Sequence, residues 1–505
     1  MTRRSDFSLF EPNRQSIFAI IFILLKFIKI FFRQFWPILI VFLLGNKGNS
    51  KGMYFLYFIS GLTLLSLIYS LIAFFKYYFF IKDGNLIIEK GVITKTKTSI
   101  PFDRIQTVNF EQNFLHQLVG VVEVKIDTAG SKGNEFDMNA LEKEKAEELR
   151  EYILANKKET TVVNELGEEV VVIEDKQELL MSLNPFDLLK VGISQNHIKT
   201  LGILLAFVLS FLDDMEEAFN VDLFDKVEEY GSAYTSGVVY TAGVIFVILF
   251  FTFIISLFGT VLKYFNLKFF KTHKGFKIIA GLLNRKEQAA MNHKIQIINW
   301  KTNPIRKAFG MFTLSLKQAA ATEIAAKQTV QVPGLYENQL DIVKKEYYPA
   351  YDELAFTNHK MSKLFLSRAL IYYCLLPTIL TGVISFISYT FPEDFSFPIW
   401  IPIGIFLFSA FSLYLYWKNW RLKIDNQALQ VHSGIIGKYD TLLKLFKVQN
   451  VELKQNIYQR RRDLASLQLH TASGNVNIPY IELEKAEKLR DYILYKAEVS
   501  RERWM

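Results

Sequence analysis

Three hydrophilic stretches of this chain fall into register when residue numbers are advanced by 190 and then by 153. The shifts carry Gly91 to Gly281 and Gly434, Gln106 to Gln296 and Gln449, and Ile105 to Ile295 and Val448. They carry Val124 to Leu314 and Leu467, and they hold without gaps from about residue 82 to about residue 130. A chain that repeats itself in this way builds one supersecondary unit three times. Leu86/Ile88, Phe276/Ile278 and Leu429/Val431 alternate with other residues, as do Val122/Val124/Ile126 and their counterparts. Period two is the mark of a half-buried strand. In "IPFDRIQTVNFEQ" (100–112) the apolar positions 105, 108 and 110 are spaced three and then two. That break in period predicts a turn or bulge where the strand starts. "AEELREYIL" (146–154) and "AEKLRDYIL" (486–494) put Leu149, Tyr152 and Ile153, and Leu489, Tyr492 and Ile493, on one helical face. Leu340, Val343 and Tyr347 repeat the spacing in the second block. Each unit is thus about 80 residues of short antiparallel strands, closed by an amphipathic helix that covers the open end of a bent sheet.

Each unit follows a long apolar stretch. Residues 53–75, 237–262, 369–389 and 397–417 contain no Asp, Glu, Lys, Arg or His. At a rise of ~1.5 Å per residue such runs span ~30 Å of hydrocarbon. Residues 34–45 and 198–212 are apolar but shorter. Ahead of the first, Lys26, Lys29 and Arg33 share one helical face. Residues 16–33 therefore read as an interfacial helix leading into a short or tilted span, or as part of one long helix whose lysines snorkel. The expectation is an α+β membrane protein with six transmembrane helices in three pairs, each pair followed by a hydrophilic domain. The loop 213–236 carries eight acids and one lysine, whereas 263–368 carries 18 Lys and Arg against 7 acids. By the positive-inside rule the termini and the three domains face the cytoplasm; Lys47 and Lys51 in the first external loop argue the other way.

The stretch "GVITKTKTSIPFDRIQTVNFEQNFLHQLVGVVEVKIDTAG" resembles the signature of the bacterial pleckstrin-homology-like (PH-like) membrane domain. The similar features are Gly91, Pro101, Arg104, Ile105, Gln106, Gln112, Gly120 and the tail Thr128-Ala129-Gly130. The third block keeps Gln449, Gln455, Thr471 and Ala472 but has Lys447 in place of Arg104; the second has Lys294 there and "LKQAAA" in place of "IDTAG". The resemblance implies three cytoplasmic PH-like β-sandwich or barrel domains, each seven-stranded and capped by a C-terminal helix. It also implies a bacterial inner membrane, self-assembly, and no established enzyme activity. The expected division is 1–75 (interfacial helix and first pair), 76–154 (first domain), 155–197 (acidic linker and interfacial segment) and 198–262 (second pair). There follow 263–349 (second domain), 350–368 (connector), 369–417 (third pair) and 418–505 (third domain).

Arg104, Gln106, Gln296 and Gln449 read as a fold signature, because blocks of opposite net charge keep the glutamine, whose amide can bond a neighbouring strand. The loop that follows diverges: "NFLHQLVG" becomes "NPIRKAFG" and then "NIYQRRRD". Its cations Arg306, Lys307, Arg460, Arg461 and Arg462 are candidate contacts for anionic lipid headgroups or a partner; the alternative is a solvated face. Seven scattered histidines and the lone Cys374 make no metal-ligand pattern, and neither a phosphate-binding Gly loop nor GxSxG is present. The chain reads as non-enzymatic and cofactor-free. Its domains would be membrane-surface binding or assembly platforms, partnered by lipid and by a second copy or another membrane protein, without nucleic acid. Support for an envelope-stress, export or peptide-resistance system fits this reading; the alternative is a component of a membrane transport system.

Overall fold

The computed structural model describes residues 8–25, 29, 50–128, 136–156, 177–197, 200–206, 237–319, 329–351, 357–390, 398, 400–500 and 502. The expected span 34–45, residues 207–212 of the expected span 198–212, the loops 213–236 and 391–397, and linker residues 157–176 lie outside them. The first repeat follows helix α1 (Ser50–Phe75) with strands β1 (Tyr78–Lys82), β2 (Asn85–Lys90), β3 (Thr96–Pro101) and β4 (Ile105–Asn113). Helix α2 (Phe114–Leu118), β5 (Val121–Thr128), β6 (Phe136–Glu142) and helix α3 (Lys143–Ala155) complete it. The second comprises β7 (Glu178–Ser182), α4 (Pro185–Ile193), α5 (Gly237–Tyr264), β8 (Lys268–Thr272), β9 (Gly275–Ala280) and β10 (Asn284–Met291). Then come β11 (Ile295–Thr302), α6 (Pro304–Ala308), β12 (Met311–Gln318), β13 (Val330–Tyr336) and α7 (Glu337–Tyr347). The third has β14 (Thr357–His359), α8 (Leu364–Thr390), α9 (Trp400–Asn419), β15 (Arg421–Ile424), β16 (Ala428–Ser433) and β17 (Lys438–Lys444). It ends with β18 (Val448–Lys454), α10 (Ile457–Arg460), β19 (Leu464–Thr471), β20 (Gly474–Glu482) and α11 (Leu483–Val499).

Alternation puts one face of each strand into a core. Leu86, Ile88, Val122, Val124 and Ile126 are buried together with Leu149 and Ile153 of α3. In the third repeat Leu429, Val431, Ala465, Leu467 and Leu469 are buried with Ile493 of α11. The bulge expected from the broken period is present in every repeat. Registry slips between Ile105 and Thr107, between Ile295 and Ile297, and between Val448 and Asn450. The skipped residue is the repeated glutamine each time. Gly91, Gly281 and Gly434 adopt φ of 127°, 110° and 136°. A Cβ there would fall on the carbonyls of Thr94, Asn284 and Gly437, so only glycine closes the turn.

One feature was not legible as linker or connector: a segment ahead of each apolar stretch pairs with the first strand behind it, as a strand in the second and third repeats and as a single bridge in the first. Asn13 exchanges backbone bonds of 2.9 Å with Phe79, and Ile81 N–H donates to Leu9 at 2.7 Å. Strand β7 pairs with β8, and β14 with β15. Strands β7 and β14 supply a seventh strand to the second and third repeats, and the Asn13–Phe79 bridge stands at that place in the first.

The chain divides into two compact units, Met1–Asp175 with Gln195–Leu267 and Ile279–Gln288, and Lys176–Ser194 with Lys268–Ile278 and Ala289–Met505. In the first, Asn284–Glu287 of β10 pair antiparallel with Asn113–Phe110 of β4. In the second, β17 pairs with β11 from Ile297↔Leu443 to Thr302↔Lys438, giving the strand order β13-β12-β11-β17-β16-β15-β14. A strand of one repeat thus adds to the edge of the repeat before it. Among the described residues, three helices are long and apolar enough to cross a membrane: Ile245–Tyr264 within α5, α8 and α9. Their surfaces are apolar, with Phe246, Phe386 and Phe408 about two-thirds or more exposed. A π-helical turn, Leu370–Leu375, precedes Pro377 in α8. Proline lacks an N–H and its ring crowds the carbonyl four residues back, which widens the ladder there.

Candidate membrane-surface site

The diverging loop is held by the same frame in all three repeats. Asn113, Asn303 and Asn456 cap the short helices α2, α6 and α10, each accepting from a backbone N–H in the first turn. The preceding side chain closes the loop from the other side. Gln112 donates to the Val121 carbonyl at 2.9 Å, Thr302 to that of Met311 at 3.0 Å, and Gln455 to that of Leu464 at 2.8 Å. Gly120, Gly310 and Asp463 end the turn at φ of 69°, 67° and 48°.

The third helical position points inward each time. His116 shares a 2.8 Å hydrogen bond with the Asn139 carbonyl and stacks on Phe22 at 3.7 Å. Burial pushes its imidazole below the ordinary histidine range, against the opposing pull of that carbonyl. Arg306 is 5% exposed, donates to Ser194 Oγ at 3.1 Å and bonds Thr313 Oγ1. Gln459 is buried and donates to Ser466 Oγ at 2.7 Å. Arg306 therefore corrects the expectation that it contacts lipid or a partner: its guanidinium pins the loop to the body. Lys307, Arg460, Arg461 and Arg462 are exposed.

Apolar side chains flank these cations. Phe114, Leu115 and Leu118 of α2, Ile305 of α6, and Ile457 and Tyr458 of α10 are all 42–70% exposed. The Gly91, Gly281 and Gly434 turns add Ile93, Leu282/Leu283 and Ile435/Ile436, 41–94% exposed. Each turn sits on the end of an apolar helix. Lys76 Nζ donates to the Val92 carbonyl at 2.9 Å, and Leu282 N–H to that of Leu262 at 2.9 Å. Asn419 Nδ2 donates to the Gly434 and Ile435 carbonyls at 3.0 and 2.9 Å. Gln117 of α2 donates to the Leu282 carbonyl at 2.8 Å, joining a loop to such a turn. In each compact unit these turns carry exposed apolar side chains where an apolar helix ends. The turn residues were missed in the sequence, where two apolar residues directly after a turn glycine (Val92-Ile93, Leu282-Leu283, Ile435-Ile436) were the available signal.

The signature residues separate into two environments. Gln296 is fully buried, Lys294 and Lys447 are 7% and 2% exposed, and the Tyr347 hydroxyl donates to the Gln296 carbonyl at 2.8 Å. Lys447 Nζ donates to the His293 carbonyl. Burial, with Lys444 nearby, lowers the Lys447 amine to about 8. Arg104 and Gln449 are exposed, and Gln106 occupies the bulge of β4.

Repeated PH-like sheets, each with a helix closing its core and an apolar stretch ahead of it, define a class. Residues 18–157, 206–350 and 374–497 match the bacterial PH domain family, and the chain belongs to that family. It is similar to the UPF0699 transmembrane protein YdbT of Bacillus subtilis (strain 168), 25% identical over 420 residues, 80% of this chain and 82% of that one. A stretch of 83 residues is 30% identical to the UPF0699 transmembrane protein YdbS of the same organism, covering 16% of this chain and 52% of that one. No solved structure matches. The chain is a YdbT-like membrane protein of three bacterial PH repeats.

Proposed function

We propose that this chain is a non-enzymatic, multi-pass inner-membrane protein whose three PH-like repeats form a binding and assembly platform on the cytoplasmic face. The observation that carries the reading is backbone pairing between the segments on both sides of each apolar stretch. Asn13 bonds Phe79, β7 pairs with β8 and β14 pairs with β15. A chain that leaves a surface and returns to pair with itself has crossed the bilayer an even number of times. Helices α8 and α9 are such a pair. Helix α1 and helix α5 each supply one crossing, so the stretches before them owe another. The apolar runs 34–45 and 198–212 meet that need, which makes six crossings in three hairpins. The pairings of β4 with β10 and of β11 with β17 support a common face for the repeats that each joins. The basic excess of the second and third repeats supports a cytoplasmic face.

The exposed apolar side chains then lie in the interface, where Ile93, Ile436 and Ile457 enter the headgroup region and Lys307 and Arg460–Arg462 meet anionic lipid. The test uses full-length protein in nanodiscs, with Cys374→Ser and a fluorophore on I93C, I436C or I457C. Brominated lipid is expected to quench all three, and added anionic lipid to deepen quenching at I457C. Water-like, unquenched emission at all three positions would overturn the platform reading.

A further inference from the structure

Internal junctions and free edges of the repeats differ in one systematic way. The junction β4–β10 pairs Phe110 with Glu287 and Glu111 with Lys286. The junction β11–β17 pairs Trp300 with Asp440 and Lys301 with Tyr439. Under the repeat offsets these are the same pairs, so both junctions share one register. Two edges of the same kind remain. Among the described residues β3, the counterpart of β10 and β17, has only β2 as a strand neighbour, and β18, the counterpart of β4 and β11, has only β19, with helix α11 packed against it. The residues that junctions bury are open there: Gln449 against fully buried Gln296, and Arg104 against nearly buried Lys447. Ile93, on the turn that precedes β3, is 94% exposed. An unpaired edge of several residues is a template for strand addition.

We propose that β18 of one chain pairs antiparallel with β3 of a second copy, extending the internal arrangement head to tail. This rests on the platform reading only in needing both copies on one face of the membrane. The internal register sets the new one: Glu452 opposite Thr98, Leu453 opposite Lys97 and Lys454 opposite Thr96. Leu453 against Lys97 keeps the pattern of an apolar residue facing a charged one. Arg104 of the second copy would reach the Phe446 carbonyl of the first chain, as Lys447 reaches that of His293. Where Glu287 meets Arg150, the new junction would bring Lys97 and Arg490 together, but Glu89 holds Lys97 at 2.8 Å and Asp491 holds Arg490 at 2.9 Å. The contact is heterologous, so it propagates from chain to chain unless geometry closes it.

The test mixes two differently tagged full-length chains, both Cys374→Ser, in native-like membranes. One carries Thr98→Cys and the other Glu452→Cys; the control pairs Thr96→Cys with Asn450→Cys, four residues out of register. Under mild oxidation the matched pair is expected to crosslink between tags at least tenfold more than the control. Equal crosslinking of both pairs would overturn the register. A disulfide formed only within one chain carrying both T98C and E452C would overturn the second copy as occupant. No crosslink at the matched pair, with α11 shielding β18 in hydrogen exchange, would show a self-capped edge and overturn the proposal. Quenching of the fluorophores by lipid is independent of all three outcomes, so a failed junction is distinguishable from a failed platform.

Discussion

The two internal junctions share a register and little else. At β4–β10 partly exposed charged side chains face one another beside buried Phe110. Glu111 lies 3.3 Å from Lys286 and 2.9 Å from Lys125, and Arg150 of α3 pairs with Glu287. At β11–β17 they are buried: Ile297, Ile298, Leu442 and Leu443 are wholly enclosed, Lys447 is sealed in, and Tyr347 spans from Gln296 to Lys444. The backbone ladder is therefore what the repeat preserves. The side chains that cover it are free to be ionic or apolar, and they set how strongly each junction holds.

The largest contrast is expected from removing apolar volume at the second junction. Leu443→Ala should cost ~2–5 kcal/mol, as for a buried leucine in a tight core. Thermal melting of the purified protein reads this; a loss under ~1 kcal/mol would mean that the junction is not packed as described.

A smaller effect separates the two junctions by pH. Lys447 has its amine lowered to about 8 by burial, from 10.5. Its folded-state value is depressed, so its stabilising share is complete only above 10.5 and is lost as pH falls through about 8. Lys447→Met removes that penalty at the cost of one hydrogen bond, a net gain on the order of 2 kcal/mol at pH 7. The gain over wild type should shrink as pH rises from 8 to 10. A gain that does not change over that range would contradict a buried, penalised lysine.

The smallest effect belongs to the ionic junction. Burial opposes ionisation of Glu111, but Lys125 and Lys286 outweigh it and hold the carboxyl below its ordinary 4.5. The stability this adds is present above 4.5 and lost as pH falls through the lowered value. Glu111→Gln should cost about 1 kcal/mol at neutral pH and nothing in acid, and added salt should weaken it. A cost that persists at pH 3 would assign Glu111 a packing role instead.

These differences bear on what could be read from residues alone. The repeat, the two-residue alternation and the helix faces were legible, because each leaves a periodic mark. The bulge was legible from the broken period, but its position at Gln106, Gln296 and Gln449 was not. The seventh strand was hidden because β7 and β14 are five and three residues long and are separated by a long, largely apolar stretch of sequence from the strands they join. Pairing over such a distance leaves no local signal. Arg306 was misread for a related reason. A charge in a loop predicts exposure, and only the fold reveals Ser194 and Thr313 beside it.

The central claim is that segments on both sides of each apolar stretch meet on one face of one membrane. Single cysteines in a Cys374→Ser background, at Ser8, Leu179, Lys345 and Ser500, are to be labelled with a membrane-impermeant maleimide in intact cells and in inverted vesicles. All four should label only in inverted vesicles, while a cysteine at Asp213, in the loop 213–236, should label only in cells. Labelling of any of the four from the outer face would contradict the account.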